Sequence, residues 1–390
     1  MSREVPLGRS ALLAATLAAM ELTFAQAAQA EVKIGFITSM TGAASSIGIP
    51  YSKGMATGAA AIPSVGGEKL TYIQIDDGFD PAAAARAARK LIEEDKVDML
   101  CGSAGAPPSL AVAAVAAELK VPIVVMGNVV VPGEGANWSV TVPQNPVLMV
   151  AADVEHMKRA GIKRLAYIGF SDAWGDLVYN SLKKTAEPEG IEIITNERYA
   201  RADTSVTAQI LKIVAAHPDA VITGGSGTPG ALPHIALSER GYSGPEYSTH
   251  AVINSEFVRV GGQAVDGVIA PTGPVVVADQ LPDANPIKKV ALDFLAGYKK
   301  VNGEASTDAF AAYGYDTWLI VADTAKRALA SGAKPGTPEF RPAMRDALTS
   351  TKELVGTHGV YTFHQGQPFG TDERSRVMVK LEKGVWKLLP

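Results

Sequence analysis

The sequence predicts an α/β protein made of two consecutive units, each a parallel-rich sheet with helices on both faces. Three observations predict it. Short apolar runs alternate with helical stretches along most of the chain, the alternation breaks near residue 138, and it restarts at residue 165. A chain of 390 residues also exceeds what one ordinary core organises.

In the first unit, residues 32–38 read as a strand, 51–62 as a helix and 70–76 as a strand. Asp80-Pro81 then caps a helix whose Ala84, Ala88, Leu91 and Ile92 recur at helical spacing. Strands over 97–101 and 122–126 enclose a helix over 107–119, and residues 138–145 read as a connector. In the second unit, strands over 165–170, 191–198, 220–223 and 246–249 alternate with helices over 173–186, 205–216 and 231–240. After residues 267–271 a second connector, 272–275, leads to long helices over 286–300 and 308–330. The chain ends in short strands at 360–363, 377–381 and 385–388.

The N-terminus carries Arg3 and Arg9 ahead of an apolar run over 11–20, then small residues at Ala28 and Ala30. That order predicts a secretory signal peptide over residues 1–30, cut before Glu31; Glu21, just past the apolar run, departs from the pattern. The apolar run is too short to span a bilayer. Cys101 is the only cysteine, which excludes an intramolecular disulfide and a lipid-modified cysteine near the cleavage site. Together these point to a soluble protein of a Gram-negative periplasm. A net charge of −4, without a basic cluster interleaved with aromatics, argues against nucleic acid as a partner.

Motifs for catalysis are incomplete. Gly225-Ser-Gly227-Thr-Pro-Gly230 satisfies a dinucleotide pattern, but it follows the third strand of its unit, and Pro229 and Pro233 remove amide donors from the helix start. Cys101-Gly-Ser103-Ala-Gly105 approaches a hydrolase elbow, yet a cysteine stands where the strained turn needs glycine, and nothing places a histidine beside Ser103. Asp76-Asp77 at a strand end reads as structural. The six histidines lack ligand spacing, so neither a metal nor a cofactor is expected. What remains is a recognition cleft, because ligands of such sheets bind beyond the C-terminal strand ends. Those ends are rich in glycine and hydroxyls, including Ser226 in the turn over 224–227, with Trp174 as an apolar wall.

Val32-Lys-Ile-Gly-Phe-Ile-Thr-Ser-Met-Thr-Gly42, Asp76-Asp77 with Asp80-Pro81, Thr141-Val-Pro143, Ile168-Gly-Phe-Ser-Asp-Ala-Trp-Gly175 and Phe310-Ala-Ala-Tyr-Gly-Tyr-Asp316 occur in order along the chain. In this the chain resembles, from Glu31 to its end, the periplasmic ligand-binding receptors of the branched-chain amino-acid type in ABC transport. The resemblance implies a type I periplasmic binding fold: two Rossmann-like lobes, residues 31–143 plus 275–358 and residues 147–270 plus 360–390. Three hinge crossings would join them near 142–146, 270–274 and 359–360. It further implies a monomeric, non-enzymatic receptor that serves a membrane permease.

By position, the resemblance makes Ile47 an apolar contact, Gly105 and Ala106 the first carboxylate grip with Ser103 and Ser109 as donors, and Asn128 to Val130 the second grip. Trp174 would close the pocket from lobe two. Amino-acid receptors place a carboxylate in lobe two to meet the ligand ammonium, whereas the matching position here is His250. The expected ligand is therefore a carboxylate without an amine, an aromatic acid before an amino acid, held in a slot of Ile47, Val129, Val130 and Trp174. A branched-chain amino-acid receptor and a ligand sensor for a regulator are the alternatives.

Overall fold

The computed structural model describes residues 31–306 and 308–390; the expected signal peptide lies outside them. Strands β1 (Glu31–Thr38), β2 (Ser64–Val65), β3 (Glu68–Asp76), β4 (Met99–Gly102), β5 (Ile123–Val125) and β6 (Ser139–Thr141) form the first sheet. Their order is 2-3-1-4-5-6, parallel except for the β2–β3 hairpin. The central strand β1 pairs with β3 (Ile34 opposite Tyr72) and with β4 (Phe36 opposite Cys101), and is buried over Ile34–Thr38. That is why it reads as a continuous apolar run and not an alternating one. Cys101 is fully buried, and burial pushes its thiol well up from the usual range, so it is an inert core residue.

Helices α1 (Ser45–Ala61), α2 (Pro81–Glu93) and α3 (Ala106–Glu118) cross between these strands. Asp80 caps α2 as the sequence indicates, its side chain accepting from the Ala82 amide at 2.8 Å. One correction concerns the connector at 138–145: its first half is β6, the edge strand, and only residues 142–145 link the lobes.

The second lobe opens with α4 (Pro146–Arg159), capped by Asn145. Strands β7 (Arg164–Phe170), β8 (Glu192–Tyr199), β9 (Ala220–Gly224), β10 (Glu246–Ser248) and β11 (Ile269–Thr272) alternate with α5 (Ala173–Ala186), α6 (Thr207–Ala215), α7 (Leu232–Glu239) and α8 (Ser255–Gly261). The chain then returns to the first lobe through α9 (Pro286–Asn302), α10 (Ala309–Ala330) and α11 (Phe340–Thr349). Helix α10 lies against α1 at a separation that only glycine permits. A Cβ on Gly54 would sit 1.8 Å from the Ala311 carbonyl oxygen, and one on Gly314 would sit 2.3 Å from that of Tyr51. This close crossing places Tyr51, Phe310 and Tyr313 side by side.

The third crossing also needs correction. Strand β12 (Leu354–Val355) pairs with β13 (Val360–Tyr361), and Thr141 of the first sheet donates its amide to Pro368 at 2.7 Å. Residues 359–360 therefore still belong to the first lobe. The chain crosses after Thr371, and Arg376 bonds the Leu148 carbonyl of α4 at 2.8 Å. Strands β14 (Val377–Glu382) and β15 (Val385–Leu388) complete the second sheet, in the order 15-14-11-10-9-7-8. The three crossings converge: Gln144 of the first donates to the Ser375 carbonyl of the third at 3.0 Å, and Gly273 of the second lies against Gln144 and His358.

Candidate ligand-binding site

A cleft with about 390 Å³ of space, the open solvent at its mouth included, lies between the lobes, beyond the C-terminal strand ends of both sheets. Lobe one contributes Ile47 and Tyr51 from α1, Gly105 and Ala106 at the start of α3, Met126, Gly127 and Asn128 after β5, and Phe310 and Tyr313 from α10. Lobe two contributes Trp174 from α5, Arg201 after β8, Ser226 after β9, and His250 and Ala251 after β10; Pro143 comes from the first crossing. The lobes meet around it. Ser46 of lobe one accepts from the Thr228 amide at 3.1 Å with its hydroxyl, and from the Asn254 side chain at 2.6 Å with its carbonyl.

Of the residues singled out in the sequence, Ile47, Gly105, Ala106, Asn128, Trp174, Ser226 and His250 are brought together here. Three are not. Ser103 is fully buried, and its hydroxyl donates to Asp77, which also accepts from Ser39 at 2.6 Å and from the Phe79 amide at 2.9 Å. Ser109 likewise donates its hydroxyl to the Ser103 carbonyl at 3.0 Å. Val129 packs into the hydrophobic core, and Val130 is 56% exposed. The expected apolar slot is thus corrected: Tyr51, Met126, Phe310 and Tyr313 replace the two valines beside Ile47 and Trp174.

The aromatic wall is apolar by construction. Tyr51 donates its hydroxyl to the Met126 carbonyl at 2.6 Å, and Tyr313 donates to Gln144, so both rings are left to pack. Tyr51 and Phe310 meet edge to face at 5.6 Å, as do Trp174 and His250 at 5.8 Å. Trp174 is fixed by its indole N–H, which donates to the Gly225 carbonyl at 3.3 Å.

The polar groups are few. Burial lowers the pKa of His250 from 6.5 to about 3, so its ring is neutral. Its Nε2 lies 3.1 Å from the Asn128 amide nitrogen, across the cleft. His250 Nδ1 and Asn128 Oδ1 have no partner among the described residues. Because the Asn128 amide nitrogen donates to Nε2, the ring carries its proton on Nδ1, and the pair keeps one free donor, Nδ1–H, and one free acceptor, Asn128 Oδ1. Among the described residues the single charged one lining the cavity is Arg201, whose side chain is 8% exposed. Its Nε donates to Asp172 Oδ2 at 2.6 Å, Nη1 to Ser226 at 2.8 Å, and its guanidinium lies 4.0 Å from the Phe170 ring centroid.

Arg201 is not legible from the sequence alone, because it follows β8, an edge strand whose end also carries Arg198, and nothing local distinguishes the two cations. Phe310 and Tyr313 carry a legible signal, since three-residue spacing on one helix puts both rings on one face. Among the described residues no cluster of three or more His, Cys, Asp or Glu is placed to hold a metal, and no helix is long and apolar enough to cross a membrane.

A family model for periplasmic binding proteins matches residues 31–371. The Leu/Ile/Val-binding protein BraC3 of Rhizobium johnstonii is 27% identical over 380 residues, which span 95% of this chain and 97% of that protein. The crystal structure of an extracellular ligand-binding receptor from Rhodopseudomonas palustris HaA2 is 39% identical, with a TM-score of 0.89 over 92% of this chain and all of that one. A solute-binding protein of an ABC transporter from R. palustris, solved with benzoate, shares the fold at 18% identity and a TM-score of 0.76, over 92% of this chain and 95% of that one. The chain belongs to the periplasmic binding protein family.

Proposed function

We propose that this member of the periplasmic binding protein family is an exported receptor for a small carboxylate without an amine, an aromatic acid before an amino acid. It hands its ligand unchanged to the membrane permease of an ABC importer. One observation carries the ligand class: among the described residues no acidic side chain lines the cavity, and the position expected to meet an ammonium is a neutral His250 facing an amide. An ammonium desolvated here forgoes a charge-assisted bond of roughly 1.5–3 kcal/mol, about tenfold or more in affinity.

The aromatic wall supports the second half of the reading. Burying a ring of about 150–250 Å² contributes on the order of 4–6 kcal/mol, against roughly 8 kcal/mol for micromolar affinity. The unpartnered donor and acceptor on the His250–Asn128 pair suit a hydroxyl on that ring, which donates and accepts. The benzoate complex of a fold relative is in keeping with this, whereas the Leu/Ile/Val-binding relative favours the alternative of a branched-chain amino acid.

A thermal-shift screen against a library of aromatic acids, aliphatic acids and amino acids tests the proposal, because only the folded state binds. Aromatic acids should raise the melting temperature most, and mass spectrometry should recover them unaltered. A screen led by Leu, Ile or Val overturns the ligand class, and catalytic conversion of the ligand overturns the receptor.

A further inference from the structure

We propose that the ligand carboxylate is read from lobe two, by Arg201, and not by the lobe-one loop over 103–109. The inference rests on the carboxylate reading above, and it reverses the ligand polarity that the sequence resemblance implies.

Lobe one has little left to offer an anion. Both seryl hydroxyls of its loop are engaged internally, by Asp77 and by the Ser103 carbonyl. The Ala104 amide donates to Ser103 Oγ at 2.5 Å, that of Gly105 to the Ser103 carbonyl at 3.1 Å, and that of Ser109 to the Gly105 carbonyl at 3.2 Å. Pro107 and Pro108, at the start of α3, have no amide hydrogen. A helix start that normally attracts anions is here almost without free donors.

Arg201 has the complementary properties. Two of its five N–H donors are engaged by Asp172 and Ser226, and Nη2 has no hydrogen-bond partner among the described residues. Its guanidinium contacts two aromatic rings, Phe170 of its own lobe at 4.0 Å and Phe79 of lobe one at 4.9 Å. This enclosure removes bulk water from the fork, where a directed bond to a carboxylate is strongest. The mount is rigid, since the other oxygen of Asp172 accepts the Trp174 and Gly175 amides at 3.0 and 3.2 Å. One carboxylate therefore orients both the cation and the aromatic wall. Because Asp172 already balances the charge of Arg201, discrimination comes from the aimed N–H groups and not from net charge.

The test compares each acid with its primary amide, which keeps the shape and removes the charge. Benzoate with benzamide is one pair and leucine with leucinamide the other, measured by calorimetry on wild type, Arg201→Gln, Arg201→Lys and Asn128→Ala. Wild type should prefer the acid by about tenfold to a hundredfold, the range of one charge-assisted bond. Arg201→Gln should reduce that ratio to within about threefold, Arg201→Lys should leave it intermediate, and Asn128→Ala should leave it unchanged. If Arg201→Gln unfolds because Asp172 is left buried and unpaired, Asp172→Asn/Arg201→Gln removes both charges and reads the same ratio. A ratio that survives loss of the arginine, or that collapses in Asn128→Ala instead, overturns the proposal. Preference for amine-free ligands is read separately, acid against amino acid, so either claim can fail while the other stands.

Discussion

Replacing Gly273 by alanine puts a methyl group where the three crossings leave no room. The backbone there is extended (φ −70°, ψ 150°), a conformation that any residue adopts, so the change carries no backbone strain and its effect is steric. An alanine Cβ would lie 1.9 Å from His358 Nδ1 and 2.9 Å from Gln144 Nε2, well inside the roughly 3.5–4 Å of an unstrained contact. His358 cannot yield freely, because it stacks on Tyr313 at 3.7 Å and its Nε2 bonds the Ala309 carbonyl at 2.8 Å. Overpacking of this kind costs about 1–3 kcal/mol, and the double clash puts Gly273→Ala in the upper half of that range.

Urea denaturation measures the cost. His358→Ala alone should lose about 2 kcal/mol, from the stacked pair and the hydrogen bond. In the double variant the new methyl occupies space that the imidazole has left. The combined loss should then fall short of the sum by about 1 kcal/mol or more. Additivity within about 0.5 kcal/mol would refute the idea that these residues share one packed hinge.

Three further outcomes follow from the site. Trp174→Ala should weaken ligand binding by about 2–4 kcal/mol in calorimetry, since the ring is buried, fixed by Gly225 and part of the cavity wall; an unchanged affinity would remove it from the site. The pKa of His250 in the fold, about 3, lies below its unfolded value of 6.5, so the folded state binds fewer protons between those limits and loses stability as pH falls through them. At about 1.36 kcal/mol per unit, wild type should lose about 2 kcal/mol more than His250→Gln between pH 7 and pH 5. Ligand affinity between pH 6 and pH 8 should show no inflection from this ring; an inflection near pH 6.5 would mean that His250 is solvated.

The elements were legible where burial writes a local pattern. The buried run of β1, the Asp80-Pro81 cap and the span of α5 follow from residues that are neighbours in the chain. Failures came where the deciding partner is distant. Strand β6 has three residues and lies beside two prolines, so only its pairing with β5 identifies it. The third crossing was misplaced because β13 pairs back to β12 and residue 368 bonds Thr141, more than two hundred residues away. At the site, Trp174 and His250 were legible as strand-end residues. Ser103 was misread because Asp77, which engages its hydroxyl, belongs to another strand end. Arg201 is held at the cavity by Asp172, Ser226 and two rings that the fold assembles around it.

Under the proposed function this cavity accepts a carboxylate and refuses an ammonium. Calorimetric titration with two matched pairs tests it most directly: 3-phenylpropanoate against phenylalanine, and 4-methylpentanoate against leucine, each pair differing only in the α-amine. Among the described residues no acidic side chain lines the cavity, at the Arg201 end or at the neutral His250–Asn128 end, so the amine-free member should bind about tenfold or more tightly in both, and the phenyl pair more tightly than the aliphatic one. Tighter binding of phenylalanine or leucine than of its amine-free counterpart would contradict the account.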